Sequence, residues 1–342
     1  MKVWKGYQRG INLGGWFSQC DHTKERYDEF IGQRDFAVIR SWGADHVRVP
    51  VDYELLETKA GEPIEEGYAR LETVIGWCRK QGLNMVLDLH KTAGFSFDPD
   101  EKEVGFFESE RYQERFYRLW ENIAKRLGRH SDMLAFELLN EVTKKEYCEP
   151  WNRISHECIR RIRAFAPEIT ILVGGYYHNS AVAVKDIAAP YDENIVYNFH
   201  CYEPLIFTHQ GATWMPPMDP AFRIPVTASY GEMVEAGSRM LEGSSAGLEN
   251  WPANEKLSTA YFEEFMAEAV AAAEKQGVAL YCGEYGVIDR AKPEDALAWF
   301  TMIHAAFEKY GIGRAAWSYR QMDFGLSDER MDEVREALVK VL

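Results

Sequence analysis

Glu141 closes the run Leu138-Leu139-Asn140-Glu141, and Glu284 closes the run Leu280-Tyr281-Cys282-Gly283-Glu284. Each follows a short apolar stretch of the kind that forms a buried strand, so each belongs where such a strand emerges at a rim. Two carboxyl groups converging on one cleft can do acid/base and nucleophilic work on an acetal. Other chemistry-bearing side chains hold comparable places. Arg48 lies in Val47-Arg48-Val49-Pro50, His90 follows Asp88-Leu89, Asn140 precedes Glu141, His200 and Tyr202 follow Phe199, and Trp317 ends the last apolar run. Taken singly, each has a plainer use: Arg48 as an ion-pair partner, His90 and His200 as satisfied core histidines, Trp317 as packing. The order of types over six strand ends is what points to chemistry. Glu137 and Asp88 are read as structural, lying within strands or pointing elsewhere.

Positioning these groups requires strands alternating with helices. Apolar runs fall at 10–13, 46–50, 85–89, 134–139, 169–173, 195–199, 278–282 and 314–317. Helical periods lie between them. Tyr112, Phe116, Leu119, Trp120, Ile123 and Leu127 share a face that Gly128 ends; Ile154, Cys158, Ile162 and Phe165 share another before Pro167; Leu297, Phe300, Ile303 and Phe307 share a third before Gly311. Eight nearly all-apolar strands separated by amphipathic helices predict an α/β protein with a parallel sheet, closed as a (β/α)8 TIM barrel. An open doubly wound sheet is the competing topology. The Gly10-Ile11-Asn12-Leu13-Gly14-Gly15 run lacks the glycine spacing of a dinucleotide turn. In a parallel barrel, catalytic groups sit at the C-terminal ends of the strands, where these residues fall.

One interval breaks the rhythm. Residues 204–260 carry Pro216, Pro217, Pro220, Pro225 and Pro252 together with Phe207, Trp214, Phe222, Tyr230 and Trp251. So long a connection inside one domain is usually functional, and its aromatic content argues against disorder. The expectation is a single domain over 1–342 with an inserted subdomain or lid after strand six.

Composition narrows the partners. A formal net charge of -15 disfavours nucleic acid, which needs clustered cations. Six scattered cysteines lack metal spacing and read as thiols, and nine histidines include no pair at ligand spacing, so neither metal nor cofactor is implied. No apolar segment is long enough for a membrane span. The start, Met1-Lys2-Val3-Trp4-Lys5-Gly6, has no secretory stretch, which gives a cytoplasmic expectation unless a leader has been removed. Oligomeric state is not legible.

With Arg48, His90, Asn140-Glu141, His200 with Tyr202, Glu284 and Trp317 in this order, the chain resembles the family-five glycoside hydrolases over essentially its whole length. The stretches at 10–16, 135–141, 197–200 and 207–210 look especially like clostridial members. The resemblance implies a retaining enzyme that cleaves β-1,4-linked hexosyl chains by double displacement. Glu141 would be the acid/base, with a pKa above that of an ordinary glutamate, and Glu284 the nucleophile, kept ionised by Arg48. Tyr202 would bond Glu284 and His200 would hold Glu141. Asn140 would reach the sugar 2-hydroxyl, His90 another hydroxyl, and Trp317 would floor the ring. Lys91, Phe95 and Trp214 are candidates for a further subsite.

The implied substrate is an oligosaccharide or polysaccharide, first a β-1,4-glucan or mixed-linkage β-glucan cut internally. Lys91, a flexible cation beside the next sugar position, opens the alternative of a β-mannanase or an exo-acting β-mannosidase on short oligosaccharides. More distant are a carbohydrate-binding barrel without catalysis and a magnesium-dependent barrel, the latter needing a third rim acid.

Overall fold

The computed structural model describes residues 1–98, 104–241 and 246–342. Eight parallel strands close into a barrel in chain order. They are β1 Arg9–Asn12, β2 His46–Asp52, β3 Asn84–Lys91, β4 Leu134–Glu137, β5 Thr170–Gly174, β6 Ile195–Cys201, β7 Ala279–Tyr285 and β8 Gly313–Ala316. Closure comes from β1 on β8, with Gly10 opposite Ala315 and Ile11 opposite Ala316. β2, β6 and β7 are buried at every residue, which is why their sequences read as continuous apolar runs rather than alternating ones.

The helices coat the barrel with the faces their sequences dictate. Helix Glu110–Leu127 buries Phe116, Leu119, Trp120, Ile123 and Leu127. Helix Pro293–Tyr310 begins with its proline in the first turn and ends at Gly311, whose φ of +66° suits a residue without a Cβ. Helix Cys148–Arg163 stops before Phe165, which is left 45 % exposed instead of joining the apolar face assigned to it. Strand four also stops early. Its ladder ends at Glu137, so Glu141 stands on the loop beyond it rather than at the strand's last rung.

At the N-terminal mouth, His46 is fully buried between Asp45 (2.6 Å) and the Tyr281 hydroxyl (2.7 Å). Gly10 makes the room, since a methyl there would stand 2.2 Å from the imidazole Nε2. This end of the barrel is a packing device, remote from the strand ends that carry function.

The long connection after β6 is folded over its described residues. Helices Leu205–Thr208 and Tyr230–Met240 bury Ile206, Phe207, Tyr230 and Met233 in the main core. The Gln210 amide donates to the Phe207 and Ile224 carbonyls and accepts from the Ile224 N–H. The six cysteines are free thiols. Among the described residues no helix is long and apolar enough to cross a membrane.

Candidate active site

Arg48 is the hub of the C-terminal mouth. It rises from the middle of β2 with none of its side chain exposed. Its Nε and Nη2 form a fork on the Glu137 carboxylate at 2.7 and 2.8 Å. Nη1 donates to Glu284 Oε1 (2.7 Å) and Asn12 Oδ1 (2.9 Å), and Nη2 donates to Asn140 Oδ1 (2.9 Å). Asp88 stands 3.1 Å away. Burial alone would lower the Arg48 pKa, but the charges of Asp88, Glu137 and Glu284 outweigh it and raise it. Asp88 and Glu137 therefore do not point elsewhere. They lie within strands, as read from the sequence, but face inward and clamp the guanidinium. Asn198 joins them, donating to Glu137 at 2.8 Å and accepting from the Gly283 N–H.

The two glutamates differ in their partners. Glu284 sits near the end of β7 with Arg48 on one oxygen and the Tyr202 hydroxyl on the other at 2.9 Å. Burial, then the adjacent Glu284 charge, pushes the Tyr202 pKa up. Glu141 has φ of +42° and is covered by two imidazoles. His200 Nδ1 lies 2.8 Å from Oε1, and His178 Nδ1 lies 3.1 Å from Oε2. His200 also stands 3.7 Å from Glu284, so it lies between the two acids. Burial works to raise the Glu141 pKa, but the hydrogen bonds from His178 and His200 overcome it and hold the carboxyl well below the usual range. The expectation of a raised Glu141 pKa is thus reversed in the free site, because both imidazoles favour the anion.

Two buried polar atoms are left open. His90 Nδ1 is bound to Asp88 at 2.7 Å, which leaves Nε2 without a partner among the described residues. Asn140 Nδ2 is likewise buried and unpartnered, its Oδ1 being taken by Arg48. The Trp317 ring lies parallel to His90, with centroids 5.8 Å apart. Gly14 leaves space for that indole, since a methyl there would stand 2.6 Å from it. Phe97 packs edge-on against His90 at 5.0 Å.

The further subsite candidates separate. Lys91 Nζ is ion-paired with Glu54 at 2.6 Å and its side chain is only 12 % exposed, so it is a pinned cation rather than a flexible one. Phe95 is buried against Phe106 and Phe107 and belongs to the core beneath the loop, not to a sugar-facing surface. Trp214 is 46 % exposed and reaches the site through His209, whose ring touches Trp214, Tyr202 and Phe324. Burial lowers the His209 pKa to about 4.

Among the described residues, two groups have ligand-type atoms within 4.8 Å of one another: His22, Asp52 and Glu54, and Glu141, His200 and Glu284. In each, hydrogen bonds or ion pairs from Lys91, Arg48 or imidazole already engage the carboxylates.

Sequence reasoning missed His178, Asn179, Asn12 and Asn198. His178 and Asn179 follow the glycine pair Gly174-Gly175 at the end of β5. Polar residues after a seventh strand end were the available signal. Asn12 and Asn198 lie inside strands, where only a buried partner explains an amide.

The sequence pattern of Cellulase (glycosyl hydrolase family 5) matches residues 7–323. The chain belongs to glycosyl hydrolase family 5. This family 5 hydrolase is 50 % identical over 310 residues to Cellodextrinase A of Ruminococcus flavefaciens, covering 91 % of this chain and 84 % of that one. It is 36 % identical over 340 residues to Endoglucanase C of Acetivibrio thermocellus, covering 98 % of each. The Clostridial cellulose synthase subunit Z from Clostridioides difficile has the same fold, with a TM-score of 0.76 and 25 % identity over 100 % of this chain and 99 % of that one. A hyperthermophilic endo-beta-1,4-glucanase solved with substrate gives 0.77 at 22 % identity over 98 % and 97 %. The protein is an O-glycosyl hydrolase on a (β/α)8 barrel.

Proposed function

We propose that this hydrolase cleaves β-1,4-glucosidic bonds with retention of configuration, acting on soluble cello-oligosaccharides and related β-glucans. One observation carries the mechanism: an oxygen of Glu141 and an oxygen of Glu284 lie within 4.8 Å of each other. So close an approach of one oxygen pair supports direct attack by one carboxylate, for which carboxyl groups stand ~5–5.5 Å apart, over inversion, for which they stand ~6.5–9.5 Å apart.

In this reading a Glu284 oxygen attacks the anomeric carbon as the bond to the departing oxygen breaks, and Glu141 delivers a proton to that oxygen. A glycosyl ester on Glu284 results. Glu141 then takes a proton from water, the water oxygen attacks the same carbon, and Glu284 is released. Arg48 and Tyr202 orient the nucleophile. The two unpartnered atoms meet sugar hydroxyls: Asn140 Nδ2 donates, and His90 Nε2, with the Nδ1 proton given to Asp88, accepts; Trp317 gives the ring an apolar floor. The segment 204–260 would border the cleft through Trp214 and His209. The preference for short chains is supported by the 50 % identity to a cellodextrinase.

The test combines anomer analysis by NMR with product profiling on cello-oligosaccharides, mixed-linkage β-glucan and β-1,4-manno-oligosaccharides. β-Configured products from the cello series, lost in Glu284→Gln, are expected. α-Configured first products would refute retention, and cleavage confined to mannosides would refute the substrate.

A further inference from the structure

The loop after β5 is bent in a way its sequence would not choose freely. Tyr177, His178 and Asn179 have φ of 51, 56 and 55°, three consecutive left-handed residues without a glycine. Each such residue carries strain of about 1 kcal/mol or more, which persists only where the surroundings over-determine it. Here the His178 N–H donates to the Val142 carbonyl at 3.0 Å, and Ser180 bridges back to His200 on β6. The result of the bend is specific. His178 Nδ1 is delivered to Glu141 Oε2 (3.1 Å), and Asn179 Nδ2 to His200 Nε2 (3.4 Å). Asn179 is fully buried, and Gly174 makes its place, since a methyl there would stand 2.3 Å from Asn179 Oδ1.

The two imidazoles on Glu141 are not equivalent. With Asn179 donating to Nε2, His200 carries its proton on Nδ1 and gives that hydrogen bond to Oε1. His200 is sealed, 2 % exposed, whereas His178 is 54 % exposed. Only His178 can exchange a proton with water. We propose that His178 is the positioning residue of the acid/base: it shares with Glu141 the proton that the departing oxygen receives and that the attacking water returns in the second step. This rests on the glycosidase reading above and identifies where its acid proton is held.

The proposal reconciles a carboxyl held low with an acid's task. One proton belongs to the Glu141–His178 pair, and leaving-group departure draws it through Glu141. The charged and titratable groups facing the pair are Glu284 on β7, Arg48 on β2, and His200 on β6, with His209 beyond Tyr202. For His178, burial favours the neutral ring, but the Glu141 carboxylate, then Glu284, raises its pKa above the ordinary imidazole value. The pair therefore keeps its proton to higher pH than a lone carboxyl would.

The test uses His178→Asn, because asparagine tolerates a left-handed φ and cannot hold the proton. On a natural cello-oligosaccharide, the alkaline limb of kcat/KM should move to lower pH, by about a tenfold loss per unit of displacement at pH 8, with the rate near pH 5 within about twofold of the parent. A dinitrophenyl β-cellobioside, whose leaving group needs no proton, should lose at least tenfold less kcat/KM at pH 8 than the natural substrate does. An unmoved limb, or equal losses on both substrates at every pH, would overturn the proposal. A readout independent of turnover is the His178 imidazole titration followed by nitrogen NMR. It should fall in Glu141→Gln, and an unchanged titration would also overturn the proposal. A parent inactive on every glucoside would refute the glycosidase reading instead, leaving that titration to decide the pairing.

Discussion

Arg48→Met removes the one cation among three buried carboxylates while keeping an unbranched side chain of similar reach. Asp88 would keep His90, Glu284 would keep Tyr202, and Glu137 would keep only the Asn198 amide. Deleting one partner of a buried ion pair costs about 3–5 kcal/mol, because the remaining charge is left in a medium that solvates it poorly. Glu137 is the residue most exposed to that penalty, being fully buried and held by two guanidinium hydrogen bonds. At roughly 2 °C per kcal/mol for a chain of this size, the midpoint in differential scanning calorimetry should fall by about 6–10 °C. Turnover should drop on the order of 10²–10³, the usual loss when a preorganised donor to a reacting group is removed. Arg48→Lys should recover little, since an ammonium cannot supply the fork to Glu137 together with the contacts to Glu284, Asn12 and Asn140. The decisive comparison is Arg48→Met with Glu137→Gln. If an uncompensated charge is the cause, the double variant is more stable than the single one by about 1–2 kcal/mol. A single variant melting with the parent, or a double variant that recovers nothing, would refute the reasoning.

Three further outcomes follow from particular contacts. Gly10→Ala places a methyl against the buried His46 ring at the opposite mouth; overpacking should cost about 1–3 kcal/mol in the melting midpoint with kcat unchanged, and a large loss of kcat without destabilisation would contradict that division of the barrel. Burial pushes the Glu203 carboxyl from 4.5 to about 7, so its contribution to stability is complete below the ordinary value and is lost as pH rises through 7. Glu203→Gln should match the parent near pH 5 and exceed it above pH 8, on the order of 2 kcal/mol after allowing for partial exposure; parallel melting curves at both pH values would exclude the effect. Lys91→Ala breaks the pair with Glu54 and should raise KM for cellotetraose more than for an aryl cellobioside if that pair borders an outer sugar position; equal changes on both would remove Lys91 from the binding surface.

The barrel was legible because strands buried on both faces leave uninterrupted apolar runs, and because helix stops such as Gly311 are local. The strand ends were legible for a related reason. Singly, a charged or aromatic residue ending an apolar run has plainer uses, but the order of types over several strand ends drew together His90, Glu141, His200, Tyr202, Glu284 and Trp317, with Arg48 within its strand. It failed where position along a strand did not reveal direction. Asp88 and Glu137 lie within strands of the barrel wall, and nothing local says that they face inward to the same guanidinium. It failed again at His178, whose role depends on three left-handed residues that no propensity favours. Phe95 shows the converse: its type suits a sugar surface, but an aromatic cluster had already claimed it.

What distinguishes the two glutamates is the kind of partner each has, not the depth at which each lies. Glu284 and Glu141 are both nearly buried, and His200 reaches both. Glu284 is held by Arg48, a cation that does not titrate in the working range, and by a phenol whose own ionisation is pushed up. Such partners can orient a nucleophile but exchange no proton with it. Glu141 is held by two imidazoles, groups whose ordinary titration lies near neutrality, one of them open to water. Proton traffic is possible on that side only. Exchanging the partners should exchange the tasks, so the proposed assignment of acid/base to Glu141 and nucleophile to Glu284 rests on Arg48 standing by one carboxylate and His178 by the other.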